Sequence, residues 1–83
     1  MKKFNELQDN DKIYVLDLRE NKLNVGTIKY IAHSHGYTIV YFQEFIPTLM
    51  FIDGYMYTIN YNNAIYSTNI QSLLNAINKH ENI

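Results

Sequence analysis

Apolar and polar residues alternate over short runs through most of the chain, and only the last stretch switches to helical spacing. The first run is Ile13-Tyr14-Val15-Leu16-Asp17-Leu18-Arg19. Its even positions, Tyr14, Leu16 and Leu18, form one apolar face. Its odd positions begin apolar, at Ile13 and Val15, and end charged, at Asp17 and Arg19. This pattern predicts a strand over residues 12–19, buried on both faces early and on one face late. After a polar break at Glu20-Asn21-Lys22, residues 23–33 form its hairpin partner. Gly26 inside that run predicts a bulge or bend of the kind a small barrel needs to turn a corner. Residues 9–31 thus form the hairpin that organises the fold.

Ser34-His35-Gly36 reads as a turn. The strand that follows, residues 37–44, opens on Tyr37-Thr38-Ile39-Val40-Tyr41-Phe42, almost wholly β-branched or aromatic. Pro47, the only proline, cannot donate to a ladder and marks a break or an edge. Residues 49–52 and 55–61 flank Asp53-Gly54. That pair predicts a type I′ hairpin, because both central residues need φ > 0. In its second arm Tyr55, Tyr57, Ile59 and Tyr61 share one face, and Met56, Thr58, Asn60 and Asn62 share the other. Asn62-Asn63 is a further turn before a short strand at 64–66.

Thr68-Asn69-Ile70-Gln71 fits a capping box with Thr68 as N-cap and Gln71 reaching back. Ile70, Leu73, Leu74 and Ile77 then give an apolar stripe, which predicts a helix over residues 69–80. Lys79 and His80 lie near its negative end, and residues 81–83 are expected to fray. Upstream, residues 1–11 form an N-terminal arm or turn. Phe4 and Leu7 are its apolar anchors, one helical turn apart, and Asp9-Asn10-Asp11 is turn chemistry. Residues 1–83 make one domain, since a chain this short cannot furnish two cores. The expected fold is mainly β (α+β). It is a small barrel or strongly curved antiparallel sheet of roughly five or six strands, residues 12–66, with one C-terminal helix.

At Phe4-x-x-Leu7-x-x-x-Asp11-x-Ile13-Tyr14 and Val25-Gly26-Thr27-Ile28 the chain resembles the small SH3-like barrels. In that superfamily a polar lead-in of this form and a glycine-containing second strand open the barrel. The resemblance covers about the first half and implies an SH3-like β-barrel. The acidic loop and paired aromatics of the SH3 domains that bind proline-rich peptides are not present, so that ligand class is not implied.

Charge narrows the partners. The net charge is −1, from seven basic and eight acidic side chains. A nucleic-acid binder normally carries a basic excess, because phosphate neutralisation supplies most of its affinity. Arg19 is the only arginine, which leaves little for bidentate recognition. With no cysteine, disulfides and thiolate metal sites are excluded. The first residues carry lysines but no apolar signal region, and no apolar run approaches a membrane span. A cytoplasmic protein without membrane contact is expected. Richness in Asn, Ile, Tyr and Lys follows AT-rich codons and suggests a low-GC bacterium or a phage.

Three groups of residues could carry chemistry. In an extended His33-Ser34-His35 both imidazoles would point the same way, which makes His33 and His35 weak metal candidates. Two ligands do not close a site, and a polar turn before Gly36 is the favoured reading; no metal and no cofactor are expected. Asp17, Glu44 and Asp53 could work as acids or bases, but turns and cross-strand pairs account for carboxylates at such positions. There is no Gly-x-Ser-x-Gly elbow, no Ser-x-x-Lys pattern and no glycine-rich phosphate loop. No enzyme is expected.

The eight tyrosines are the third group. A domain this small cannot bury them all while satisfying each hydroxyl. Tyr14, Tyr41 and Tyr57 are expected in or at the rim of the core, and Tyr30, Tyr37, Tyr55 and Tyr61 outside it. Tyr30, Tyr37, Tyr55, Tyr57 and Tyr61 form the candidate binding set, with tyrosine as an ordinary strand residue the alternative. The expected function is a non-catalytic interaction module, in a phage or mobile-element setting, that binds a protein partner or itself through a tyrosine-rich strand surface. The alternative is a weak single-stranded nucleic-acid-binding barrel that stacks bases on the same rings.

Overall fold

In the computed structural model, which describes residues 2–52 and 54–81 (His80 and Glu81 by backbone only), the alternating runs become antiparallel strands. They are β1 (Lys12–Asp17), β2 (Lys22–Ser34), β3 (Tyr37–Phe42), β4 (Leu49–Phe51), β5 (Thr58–Tyr61) and β6 (Ala64–Ser67), followed by a helix, α1 (Ile70–Glu81). The sheet order is β4-β3-β2-β1-β6-β5, a nearly closed barrel-like sheet. The fold is mainly β with one C-terminal helix, as the spacing predicts.

The double burial of β1 has a direct cause. Ile13 and Val15 enter the barrel interior with Phe4, Ile28, Val40, Leu49 and Tyr66. On the opposite face Leu16 meets Ile65 and Leu73, with Tyr14 and Leu18 packed around them. The chain therefore has a barrel core and a second cluster beneath α1. Fully burying a side chain of the Leu or Ile class stabilises by about 1.5–3 kcal/mol, so both clusters contribute.

β2 serves both halves of the sheet. Its residues 22–27 pair with β1 and its residues 28–34 with β3. The bulge lies between Ile28 and Tyr30, not at Gly26, which pairs in regular register with Ile13. Gly26 is required for another reason. A Cβ there would stand 2.9 Å from Phe42 Cδ1 and 3.0 Å from Ile46 Cδ1, so the small residue lets both side chains close over the strand.

The hairpin expected at Asp53-Gly54 does not form between residues 49–52 and 55–61. β4 pairs with β3 and β5 with β6, at opposite edges of the sheet. Asp53 itself lies outside the described residues. Gly54 is needed for close approach: the Asn5 N–H donates to its carbonyl at 2.6 Å, and a Cβ would meet Asn5 N at 2.9 Å. The two-residue turns with left-handed backbone are His35-Gly36, at φ 52° and 82°, and Asn62-Asn63, at 49° and 60°. Asparagine tolerates that conformation through local hydrogen bonding of its short side chain.

The cap of α1 is displaced by one residue from the expected Thr68. The Ser72 N–H donates to Asn69 Oδ1 at 2.8 Å, which makes Asn69 the N-cap, and Gln71 donates to Asn75 instead of reaching back. The apolar stripe is only half used. Leu73 is buried and Ile77 half-buried, but Ile70 and Leu74 remain 45% and 47% exposed. The His80 side chain and residues 82–83 fall outside the described part. Among the described residues no helix is long and apolar enough to cross a membrane.

Candidate interaction surface

The bulge at Lys29 decides which tyrosines reach solvent. Ile28 faces the interior opposite Phe42, and in a regular strand Tyr30 would point the same way. The extra residue resets the alternation. Ile31, opposite Val40, packs against the core, and Tyr30, Ala32 and Ser34 turn outward. Directly opposite residues of an antiparallel pair share a face. Tyr30 thus stands beside Tyr41, Ala32 beside Ile39, and Ser34 beside Tyr37; Met50 of β4 adjoins Ile39. The rings of Tyr30 and Tyr41 stack with centroids 4.3 Å apart and planes 21° from parallel.

The outer face of β2–β3–β4 is therefore apolar and aromatic from strand to strand. Tyr30, Tyr37 and Met50 are exposed, and Ile39 and Tyr41 are half-buried. The equivalent outer face of β1, β6 and β5 carries α1. One half of the barrel has a cover and the other presents its side chains.

The candidate tyrosines do not gather in one place. Tyr30 and Tyr37 lie on this outer face. Tyr61 was expected outside the core but turns inward with Ile59 and packs against the barrel interior. Only Thr58–Tyr61 of the expected 55–61 arm is strand. Tyr55 is exposed and Tyr57 half-buried in the segment before it. Tyr57 offers its carbonyl to Thr68 N–H at 2.9 Å and to Ser67 Oγ at 3.2 Å. Tyr66 is the fully buried tyrosine. Burial pushes its hydroxyl pKa up, and the hydroxyl donates to the Pro47 carbonyl at 3.4 Å. Tyr41, Ile39 and Met50 complete the outer face and were not among the candidates. The signal for Ile39 and Tyr41 in the sequence is the alternation in Tyr37-Thr38-Ile39-Val40-Tyr41-Phe42, which separates two faces without saying which is outside.

Asp11, Asp17 and Glu44 hold backbone, and His33 and His35 lie against side-chain hydroxyls. His35 sits in the β2–β3 turn, so its backbone is not extended and it does not align with His33. His33 Nδ1 lies 3.3 Å from Thr38 Oγ1, and His35 Nδ1 lies 2.9 Å from Ser34 Oγ. Among the described residues no three His, Cys, Asp or Glu side chains gather as a metal site would require. Asp17 Oδ1 accepts the N–H groups of Arg19 and Glu20 at 2.9 and 3.4 Å and shapes the β1–β2 turn. Asp11 accepts from Lys2 Nζ at 2.8 Å and from the Gln8 N–H at 2.9 Å, and these bonds, the lysine's first, hold its pKa below the ordinary value.

Glu44, just past β3, clamps β2 by accepting the Thr27 N–H at 2.6 Å and the Thr27 hydroxyl at 2.7 Å. The backbone bond, then the hydroxyl, holds its carboxyl below the usual 4.5. A folded pKa below the unfolded one adds stability at higher pH, and that stability is lost as pH falls through the folded value. The urea midpoint should therefore drop between about pH 5 and pH 3. Glu44→Gln should lower the midpoint at pH 7 and show a shallower acid dependence. Parallel curves for the two proteins would refute the clamp.

Compared with known proteins, the chain matches no family model, no curated protein and no solved structure.

Proposed function

We propose that the protein is a non-catalytic interaction module of SH3-like barrel type that binds a protein partner through the outer face of β2–β3–β4. One observation carries this reading. The helix covers one half of the barrel, and the other half presents a face built of Tyr30, Ala32, Tyr37, Ile39, Tyr41 and Met50. Tyrosine gives rigid, amphipathic contact area at low entropic cost, and apolar neighbours exclude water around it. Two of the three carboxylates that could work as acids or bases, Asp17 and Glu44, are instead engaged by backbone N–H groups, which supports a binding role. The nearly closed sheet, together with the Leu7…Asp11-x-Ile13-Tyr14 lead-in, supports the SH3-like assignment. The Asn- and Ile-rich composition supports a phage or mobile-element setting.

A photoreactive phenylalanine analogue placed at Ile39, and in a second protein at Asn78 on the exposed side of α1, tests the face. Irradiation in the source cells should give a discrete protein adduct from position 39 and none from position 78, and Tyr41→Asp should abolish it. Equal labelling from both positions, or none from 39, would remove the proposal. Salt-dependent binding of a labelled single-stranded oligonucleotide to the same face would replace it with the nucleic-acid reading.

A further inference from the structure

One end of the barrel carries a knob and a hole side by side. The β1–β2 turn and the β5–β6 turn meet there, with the Leu18 N–H donating to the Asn63 carbonyl at 2.9 Å, and residues 43–48 cross beside them. Phe45 stands clear of the protein at 109% of its reference exposure, whereas Phe4, Phe42 and Phe51 are buried. A phenyl ring in water forfeits the burial energy that an aromatic side chain normally supplies. Phe45 also borders an open cleft of about 160 Å³ whose lining is half apolar, from Val15, Pro47, Ala64 and Tyr66, and half polar, from Asp17, Arg19 and three asparagines. An apolar cavity of about 150 Å³ accepts a benzene molecule. The cleft therefore has room for one phenyl ring, and the chain's own fully exposed Phe45 does not fill it.

We propose that two copies of this chain associate through this end of the barrel, the Phe45 ring of each entering the cleft of the other. A two-fold contact sets the same patch against itself, so it needs knob and hole on one surface. That condition is met because Phe45 is itself a wall of the cleft. Charge points to the same occupant. Asp17 and Arg19 lie on one rim, and a two-fold axis can set the acid of one copy against the base of the other. Within its own copy, and among the described residues, the Arg19 guanidinium donates to a neutral group, the Asn63 side-chain oxygen, at 3.0 and 3.3 Å with that amide turned to face it. A partner of uniform charge would leave either Asp17 or Arg19 opposed. The contact is small, so the association is weak and reversible, with a dissociation constant on the order of 100 μM. It uses a different surface from the β2–β3–β4 face and does not depend on that reading.

Sedimentation equilibrium on the full chain, with isotope-filtered NMR on a mixture of labelled and unlabelled protein, tests it. Concentration-dependent mass is expected, with intermolecular contacts from the Phe45 ring to the Val15 and Ala64 methyls. Phe45→Ser removes a fully exposed side chain and should leave the fold intact while weakening association at least about tenfold. Arg19→Glu should weaken it as well, and Ile39→Glu on the sheet face should leave it unchanged. A monomer with invariant shifts up to about 1 mM overturns the proposal. So does a Phe45→Ser protein that self-associates as strongly as the parent.

Discussion

Replacing Phe4 with alanine is expected to destabilise the protein by about 3–5 kcal/mol, the range for deleting a buried aromatic ring. For a chain of this length, total stability is on the order of 4–12 kcal/mol, so this one change removes much of it. The cause lies in how the sheet closes. β4 and β5 are the two edges and do not pair with each other. The N-terminal arm lies along the segment between them: the Phe4 N–H donates to the Met56 carbonyl at 3.0 Å and the Asn5 N–H to the Gly54 carbonyl at 2.6 Å. The Phe4 ring then enters the barrel at 2% exposure and meets Phe51 edge-on at 5.6 Å. Arm and ring together complete one wall of the core. Urea unfolding should show a lower midpoint with an unchanged slope for Phe4→Ala, and a smaller loss for Phe4→Leu. A shift below about 1 kcal/mol would show that the arm is not part of the barrel.

What the sequence revealed about this architecture follows from range. β1 was legible on both faces because each burial partner imposes its own period-two pattern, and Tyr14, Leu16 and Leu18 register the helix before the helix is reached. The turns at Ser34-His35-Gly36 and Asn62-Asn63 were legible because left-handed backbone selects residues locally. Asp53-Gly54 misled because the same glycine also answers a long-range demand, the approach of the Asn5 backbone, which no neighbouring residue signals. The bulge at Lys29 left no mark, since an extra residue in an exposed strand needs no special side chain. That omission decided the candidate surface. Without the reset at Lys29 the outward set Tyr30, Ile39, Tyr41 and Met50 cannot be assembled from spacing, which is why the candidate set also takes in Tyr55, Tyr57 and Tyr61.

The apolar stripe of α1 poses the same difficulty on a helix, and a paired substitution resolves it. Leu73→Ala is expected to cost about 2–5 kcal/mol, because Leu73 is 1% exposed and packs on Leu16 and Ile65. Leu74→Ala, next to it on the same predicted stripe, should change stability by less than about 0.5 kcal/mol, since Leu74 is 47% exposed. Equal effects would mean that the helix docks in a different rotation. The contrast also bears on cooperativity. Leu16 and Ile65 belong to β1 and β6, whose other faces, through Val15 and Tyr66, line the barrel interior. A cavity at Leu73 therefore loosens strands that the barrel core also needs. In native-state hydrogen exchange the Leu73→Ala protein should lose protection in β1 and β6 together with α1. Loss confined to the α1 amides would instead make the helix a separable cover, with the barrel stable on its own. The arrangement of side chains on both faces of β1 favours the coupled outcome.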